Sequence, residues 1–178
     1  DDGTGSNGTN DDRPAFSVNN VTVNEGAGTL TFTVTKSGNT TLPSSVDFAT
    51  AGGTATTTDY TATNGSLTFA ANETSKSVTV NITDDGVYEG SESFSLLLSN
   101  AANATIAQNG TGTILDDGTG PNGTNDDRPS FSVNNVTVNE GAGTLTFTVS
   151  KSGNTTLPST VDFATADGTA GAADYTAT

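Results

Sequence analysis

In Thr29-Leu30-Thr31-Phe32-Thr33-Val34-Thr35 apolar residues and threonines alternate without a break. Successive side chains of an extended chain point to opposite faces. This segment therefore sets Leu30, Phe32 and Val34 on one face and threonines on the other, the pattern of a half-buried strand. Upstream, Phe16 alternates with Val18 and Val21 with Val23, but the parity slips at Asn19-Asn20. Such a slip predicts a bulge or kink that splits the first strand. Downstream, Val46 and Phe48, Leu67 and Phe69, Val78, Val80 and Ile82, and Phe94, Leu96 and Leu98 repeat the alternation. Turn signals separate these runs at Glu25–Gly28, Ser37–Asn39, Gly52-Gly53, Asn64-Gly65, Ala71-Asn72 and Asp85-Gly86. No useful window has helical periodicity. About seven strands in about 100 residues predict an all-β, two-sheet Greek-key sandwich.

Composition alone points the other way. The 178 residues carry 20 acidic and 5 basic side chains, a formal charge of −15, and no Cys, His, Met or Trp. Leu, Ile, Val and Phe together number 33, a share low enough to suggest disorder at that charge. Ordered alternation overrides this for the body of the chain, since it gathers the few apolar residues into one core. Without Cys there is no disulfide framework or thiolate chemistry, and without His the commonest general base and transition-metal ligand is missing. No enzyme is expected. Nucleic acid is not an expected partner of so acidic a chain. No apolar run approaches the length of a membrane helix, so no membrane insertion is expected in this segment.

The chain repeats itself. Residues 1–63 match residues 116–178 at an offset of 115, differing only at positions 6, 15, 35, 45, 52, 56, 57 and 58. An acidic Gly/Asn linker over 1–14 precedes a complete domain over 15–117. A second linker over 118–129 precedes the N-terminal half of another domain over 130–178. Two readings of that half-domain stand: truncation of a longer array, or completion by strands from another chain.

Within this frame the residues resemble a known family. Val21-Thr22-Val23-Asn24-Glu25-Gly26, Val46-Asp47-Phe48-Ala49-Thr50, Asp59-Tyr60, Gly65–Phe69, Ile82-Thr83-Asp84-Asp85-Gly86-Val87-Tyr88-Glu89-Gly90-Ser91-Glu92 and Thr113-Ile114-Leu115-Asp116-Asp117 resemble the Calx-beta domain. The likeness covers 15–117 and, truncated, 130–178. It implies an immunoglobulin-like sandwich that in many members binds calcium at one pole, and it places the chain among exchangers, integrin subunits or arrays of large surface and adhesion proteins.

Calcium is also reachable from parity. Successive antiparallel strands reverse direction, so the turns after the first, third and fifth strands and the end of the last share one pole. Glu25, Asp84, Asp85, Glu89, Glu92, Asp116 and Asp117 are then expected to converge. Two like charges about 5 Å apart repel by roughly 1–3 kcal/mol. A convergent set favours neutralisation by a hard cation taking six to eight oxygens, as Ca²⁺ does. The plainer alternative is acidic turns that merely solvate the sheet ends. The resemblance implies the same ligands, with Glu140 and Asp167 as those of the second copy. The chain departs from the family pattern at Gly52, where a carboxylate is expected and only Asp167 supplies one. Asp59 is read as a turn anchor rather than a ligand.

The last strand ends at the acidic pole and the next domain starts at its own opposite pole, so domains are expected head to tail. Asp126-Asp127 lies close to that exit, and calcium there is expected to stiffen the joint. Asn-x-Ser/Thr sequons occur at Asn7, Asn20, Asn39, Asn64, Asn72, Asn81, Asn103, Asn109, Asn122, Asn135 and Asn154. Either they are glycosylated or they reflect an Asn- and Thr-rich surface. The leading functional expectation is a calcium-binding rigid spacer in a long extracellular surface protein, filament or adhesin, with neighbouring repeats and other copies in a fibre as partners. The rival is a module that contacts glycans or proteins through polar turns at Ser37–Ser44 and Ser99–Gly112. A third reading, an intracellular calcium sensor attached to a transporter, predicts divergent domains and nearby membrane spans, neither of which is seen.

Overall fold

The parity slip at Asn19-Asn20 is where the first strand leaves one sheet for the other. A computed structural model describes residues 12–120 and 126–178. In it β1 (Ala15–Val18) and β2 (Val21–Asn24) lie in different sheets. The two asparagines serve the crossover. Asn19 Oδ1 accepts the Thr33 N–H at 2.7 Å and Asn20 Oδ1 accepts the Thr111 N–H at 2.9 Å. Side-chain oxygens thus replace the ladder partners lost where the backbone changes sheets.

The strands that follow are β3 (Thr29–Ser37), β4 (Ser44–Gly52), β5 (Asn64–Phe69), β6 (Ser75–Asn81), β7 (Ser91–Ala102), β8 (Thr105–Gln108) and β9 (Gly110–Leu115). One sheet has the order β6-β3-β1-β8 and the other β2-β9-β7-β4-β5. The last strand is split like the first. Between β8 and β9 the Asn109 side chain accepts the Leu98 N–H at 2.9 Å. The two split strands pair in parallel in both sheets, β1 with β8 and β2 with β9. Counting each split strand once, the domain is the expected seven-stranded, immunoglobulin-like sandwich.

The alternating residues fill the space between the sheets. Phe16, Leu30, Phe32, Val34, Val46, Phe69, Val80 and Leu96 are completely buried. Phe32 meets Phe94 edge to face at 5.9 Å, and Tyr60 stacks on Phe94 at 4.2 Å. Each such ring removed from water contributes on the order of 1.5–3 kcal/mol. Not every inward position is apolar. Lys36 is buried and its ammonium donates to the carbonyls of Leu42 at 2.6 Å and Thr40 at 3.3 Å, which ties down the β3–β4 loop.

Two sequence expectations fail. Asn64-Gly65 is not a turn but the start of β5, with Gly65 opposite Phe48. A Cβ at Gly65 would lie 3.0 Å from the Phe48 ring, so the glycine makes room for the aromatic ring. Ser99–Gly112 is not a polar turn either. It holds the end of β7, all of β8 and the start of β9. Its alternation is hidden because glycines take inward positions of β9. A Cβ at Gly112 would come within 2.8 Å of Phe94 and 3.0 Å of Leu30.

The strands of residues 126–178 are the antiparallel pair β10 (Ser130–Val133) and β11 (Val149–Ser152). Its register, Val133 opposite Val149, repeats that of Val18 opposite Val34 in the first repeat.

Candidate metal site at the acidic pole

The strand order carries five chain segments to one end of the sandwich. A single 3-10 turn over Glu25–Ala27 follows β2, with Asn24 Oδ1 accepting the Gly26 N–H at 3.1 Å and Gly28 closing it at φ 70°. That positive φ suits glycine, and the turn holds the Glu25 side chain inward rather than toward solvent. The β4–β5 connection brings Asp59, the β6–β7 connection brings Asp84 to Glu89, and Glu92 is the second residue of β7. The end of β9 brings Asp116, and the linker returns with Asp127.

These side chains form two groups. The carboxylates of Glu25, Asp116 and Asp127 have oxygens within 4.8 Å of one another, as do those of Asp59, Glu89 and Glu92. In the first group Glu25 Oε1 accepts the Asp85 N–H at 3.3 Å and Asp116 Oδ2 accepts the Glu89 N–H at 2.7 Å. The other oxygens, Glu25 Oε2 and Asp116 Oδ1, are buried and have no hydrogen-bond partner. A buried carboxylate oxygen without a donor or a cation is costly. Burial, followed by the charges of Asp116, Asp85 and Asp84, pushes the Glu25 carboxyl up to about 7 against a partly opposing bond from Asp85. Burial also raises Asp116, countered by N–H groups of Glu89 and Asp127.

In the second group burial and then the Asp59 charge push Glu92 up to about 7, and burial and Asp59 raise Glu89 as well. Burial acts upward on Asp59 too, but the bonds it accepts outweigh that and hold its carboxyl low. Its donors include the Thr56 N–H at 2.5 Å and the Thr58 hydroxyl at 2.9 Å. Asp59 therefore anchors its turn, as expected from the sequence. It also belongs to an acidic group, which the sequence does not reveal.

The remaining candidates lie at the edge or elsewhere. Asp85 is exposed and its Oδ1 accepts the Val87 N–H at 2.7 Å, while Asp84 is exposed beside it. Asp117 turns to Thr119, accepting its N–H at 3.0 Å and its hydroxyl at 2.5 Å. Glu140 is exposed on the 3-10 turn over Glu140–Ala142, the counterpart of the Glu25 turn. Asp167 accepts the Tyr175 hydroxyl at 2.7 Å. The corresponding Gly52 lies next to Tyr60, whose Oη is 3.7 Å from an added Cβ. A carboxylate at position 52 would therefore stand beside the tyrosine that is the counterpart of Tyr175.

Beyond the pole the two repeats touch. Asp127 approaches Glu25 and Asp116, and Asn154 Nδ2 donates to the Gly86 carbonyl, while Arg128 pairs locally with Asp126 at 2.6 Å within the linker. The sequence sets Asp126-Asp127 near the exit of the acidic pole but does not single out Asp127 as the one that reaches Glu25. Its separation from Glu25 by about 100 residues leaves no local signal of their approach.

Several sequon asparagines have structural partners through their side-chain oxygens. Asn20 and Asn109 serve the strand splits, and Asn39 and Asn154 accept the N–H groups of Thr41 and Thr156 in matching turns. Asn7 and Asn122, and linker residues 1–11 and 121–125, lie outside the described residues.

The Calx-beta domain family matches residues 9–118 and 124–178. Among solved structures, the apo-form Calx CBD1 domain is similar over 59% of this chain and 98% of its own, with 24% identity and a TM-score of 0.54. The calcium binding domain CBD12 of CALX1.1 is similar over 62% of this chain and 46% of its own, with 27% identity and a TM-score of 0.53. CBD12 from CALX1.2 is similar over 58% of this chain and 45% of its own, with 26% identity and a TM-score of 0.53. The chain thus spans less than half the length of either CBD12 structure. No curated protein sequence matches it.

Proposed function

The chain belongs to the Calx-beta domain family, and from that premise we propose that its acidic pole binds calcium and that the ion couples each domain to the linker leaving it. The carrying observation is the pair of buried, unpartnered oxygens Glu25 Oε2 and Asp116 Oδ1, with the linker residue Asp127 brought to the same point. Carboxylates offer the hard oxygens that Ca²⁺ prefers, and one shared ion supplies counter-charge to all three at once. Glu25, Asp116 and Asp127 are the proposed ligands of one ion, and Asp59, Glu89 and Glu92 those of a second. Asp84, Asp85 and Asp117 flank them, and Glu140 and Asp167 are the matching positions of the second copy. The printed description of the CALX1.1 relative as a calcium binding domain supports the choice of ion.

The functional reading that follows is a stiffened spacer of a long extracellular surface protein, filament or adhesin, without catalysis. Near-identical copies suit a device whose output is length, because each repeat performs the same task again. An ion that takes a ligand from each side of the joint opposes bending of an otherwise Gly- and Asn-rich linker. Calcium titration of the full chain by calorimetry tests the assignment. Binding is expected, and Asp127→Asn should weaken it while leaving the metal-free fold intact. Unchanged affinity in that variant removes the linker from the site. Absence of binding in the parent chain rejects the calcium reading itself.

A further inference from the structure

Eleven Asn-x-Ser/Thr sequons run through the chain, and the calcium reading uses none of them. Their surroundings differ. Asn20 and Asn109 hold the strand splits through their Oδ1 atoms, and Asn103 Nδ2 donates to the Pro43 carbonyl at 3.3 Å. Asn64 opens β5 and Asn81 ends β6, and both are exposed. Extended backbone there sets the third residue of the sequon about 6.6 Å further along the strand. The β3–β4 loop is different. Asn39 Oδ1 accepts both the N–H and the hydroxyl of Thr41, at 3.2 and 2.6 Å. In the second repeat Asn154 Oδ1 accepts the same two groups of Thr156, at 3.0 and 2.5 Å. Among the described residues, these are the two sequons whose hydroxyl bonds its own asparagine.

The loop is built to hold that geometry. Gly38 turns the chain at φ 88° and its copy Gly153 at φ 87°, values that favour glycine. The buried Lys36 ammonium holds the Thr40 and Leu42 carbonyls, and the Asn72 N–H adds a 2.7 Å bond to the Thr40 carbonyl. Lys151 likewise donates to the Leu157 carbonyl at 2.5 Å. Asn39 is exposed and the loop engages it through Oδ1, which leaves Nδ2 for other chemistry. An amide nitrogen is a weak nucleophile, because its lone pair is delocalised into the carbonyl. A hydroxyl donated to Oδ1 draws charge onto the oxygen and makes an Nδ2 proton easier to remove. Asn154 has the same turn, but it is half-buried and its Nδ2 donates to the Gly86 carbonyl of the first repeat.

We propose that the β3–β4 loop is an acceptor for an N-linked sugar, with Asn39 the open site and Asn154 a copy shielded by the contact between repeats. In the transfer, Nδ2 bonds to the anomeric carbon of a sugar carried on a diphosphate. The diphosphate leaves with the electron pair of its bond to that carbon, and one Nδ2 proton passes to a base of the transferring enzyme. At Asn154 the sugar and the Gly86 loop compete for the same nitrogen.

The folded full chain is incubated with UDP-glucose and a soluble transferase that reads Asn-x-Ser/Thr, and hexose at each sequon is followed by peptide mass spectrometry. Synthetic peptides spanning each sequon supply the rate without the fold. Relative to its own peptide, Asn39 is expected to react several-fold faster than Asn64, Asn81 and Asn154, because its reacting groups are already oriented. Asn64 and Asn81 are exposed too, so the comparison separates orientation from mere access. Reaction at Asn39 no faster than at these two strand sequons overturns the acceptor assignment. Reaction at Asn154 as fast as at Asn39 overturns the shielding by the first repeat.

Discussion

Glu25 and Asp116 are buried as deeply as core residues, yet each leaves an oxygen without a partner. Glu25 and Glu92 both titrate near 7 instead of at 4.5, because burial and neighbouring carboxylates disfavour their charged forms. Between those two values the folded chain holds protons that the unfolded chain has released. Stability of the metal-free protein should therefore fall as pH rises from about 4.5 to above 7, the reverse of ordinary acid denaturation. Thermal melts in chelator at pH 5 and pH 8 check this, and a higher midpoint at pH 8 contradicts it. Glu25→Gln removes the buried charge while keeping its shape. The variant should melt higher than the parent in chelator at pH 8, by an amount on the order of 1 kcal/mol, and should lose most of any stabilisation by calcium. Lower stability in chelator would mean that the Glu25 charge is already compensated within the protein. Much of this arrangement is legible in the sequence, since strand parity alone brings Glu25, Glu89, Glu92 and Asp116 to one pole. The second role of Asp59 is not, because a carboxylate holding its own turn looks the same whether or not it also faces other acids.

At the scale of elements, alternation reports the strands whose inward positions are bulky and misses those whose inward positions are small. The β3 pattern and the break at Asn19-Asn20 are both visible, because apolar parity changes at that break. β8 and the start of β9 are invisible, because Gly110 and Gly112 stand where a bulky side chain is expected and the packing comes from Val18, Phe94 and Leu30 reaching over them. Gly112→Val should destabilise the domain by about 1–3 kcal/mol through overpacking against Phe94. Denaturant unfolding checks this, and a neutral result would show that β9 does not pass so close to the core. The two phenylalanines of the repeated β3 motif should respond very differently. Phe32→Ala should cost about 3–5 kcal/mol, whereas Phe147→Ala should change the same cooperative transition by less than about 0.5 kcal/mol. Equal effects would mean that the half-domain is covered in solution as fully as the first repeat.

For the molecule as a whole, the charge of −15 gains a location. The described acids gather mainly at the strand ends and the linker, where one repeat gives way to the next. The duplication makes the modular organisation plain from sequence. The approach of Asp127 to Glu25 and Asp116 is not plain, because it depends on how the chain folds back after β9. In the proposed reading calcium completes this pole. Thermal unfolding of the full chain at neutral pH, with excess calcium and with chelator, is the measurement that decides this. An ion at about a hundred times its dissociation constant stabilises by about 2.7 kcal/mol, which for a domain of this size raises the midpoint by about 10 °C or more. That rise, diminished in Glu25→Gln, is the predicted result. Coincident melting curves with calcium and with chelator would contradict the account.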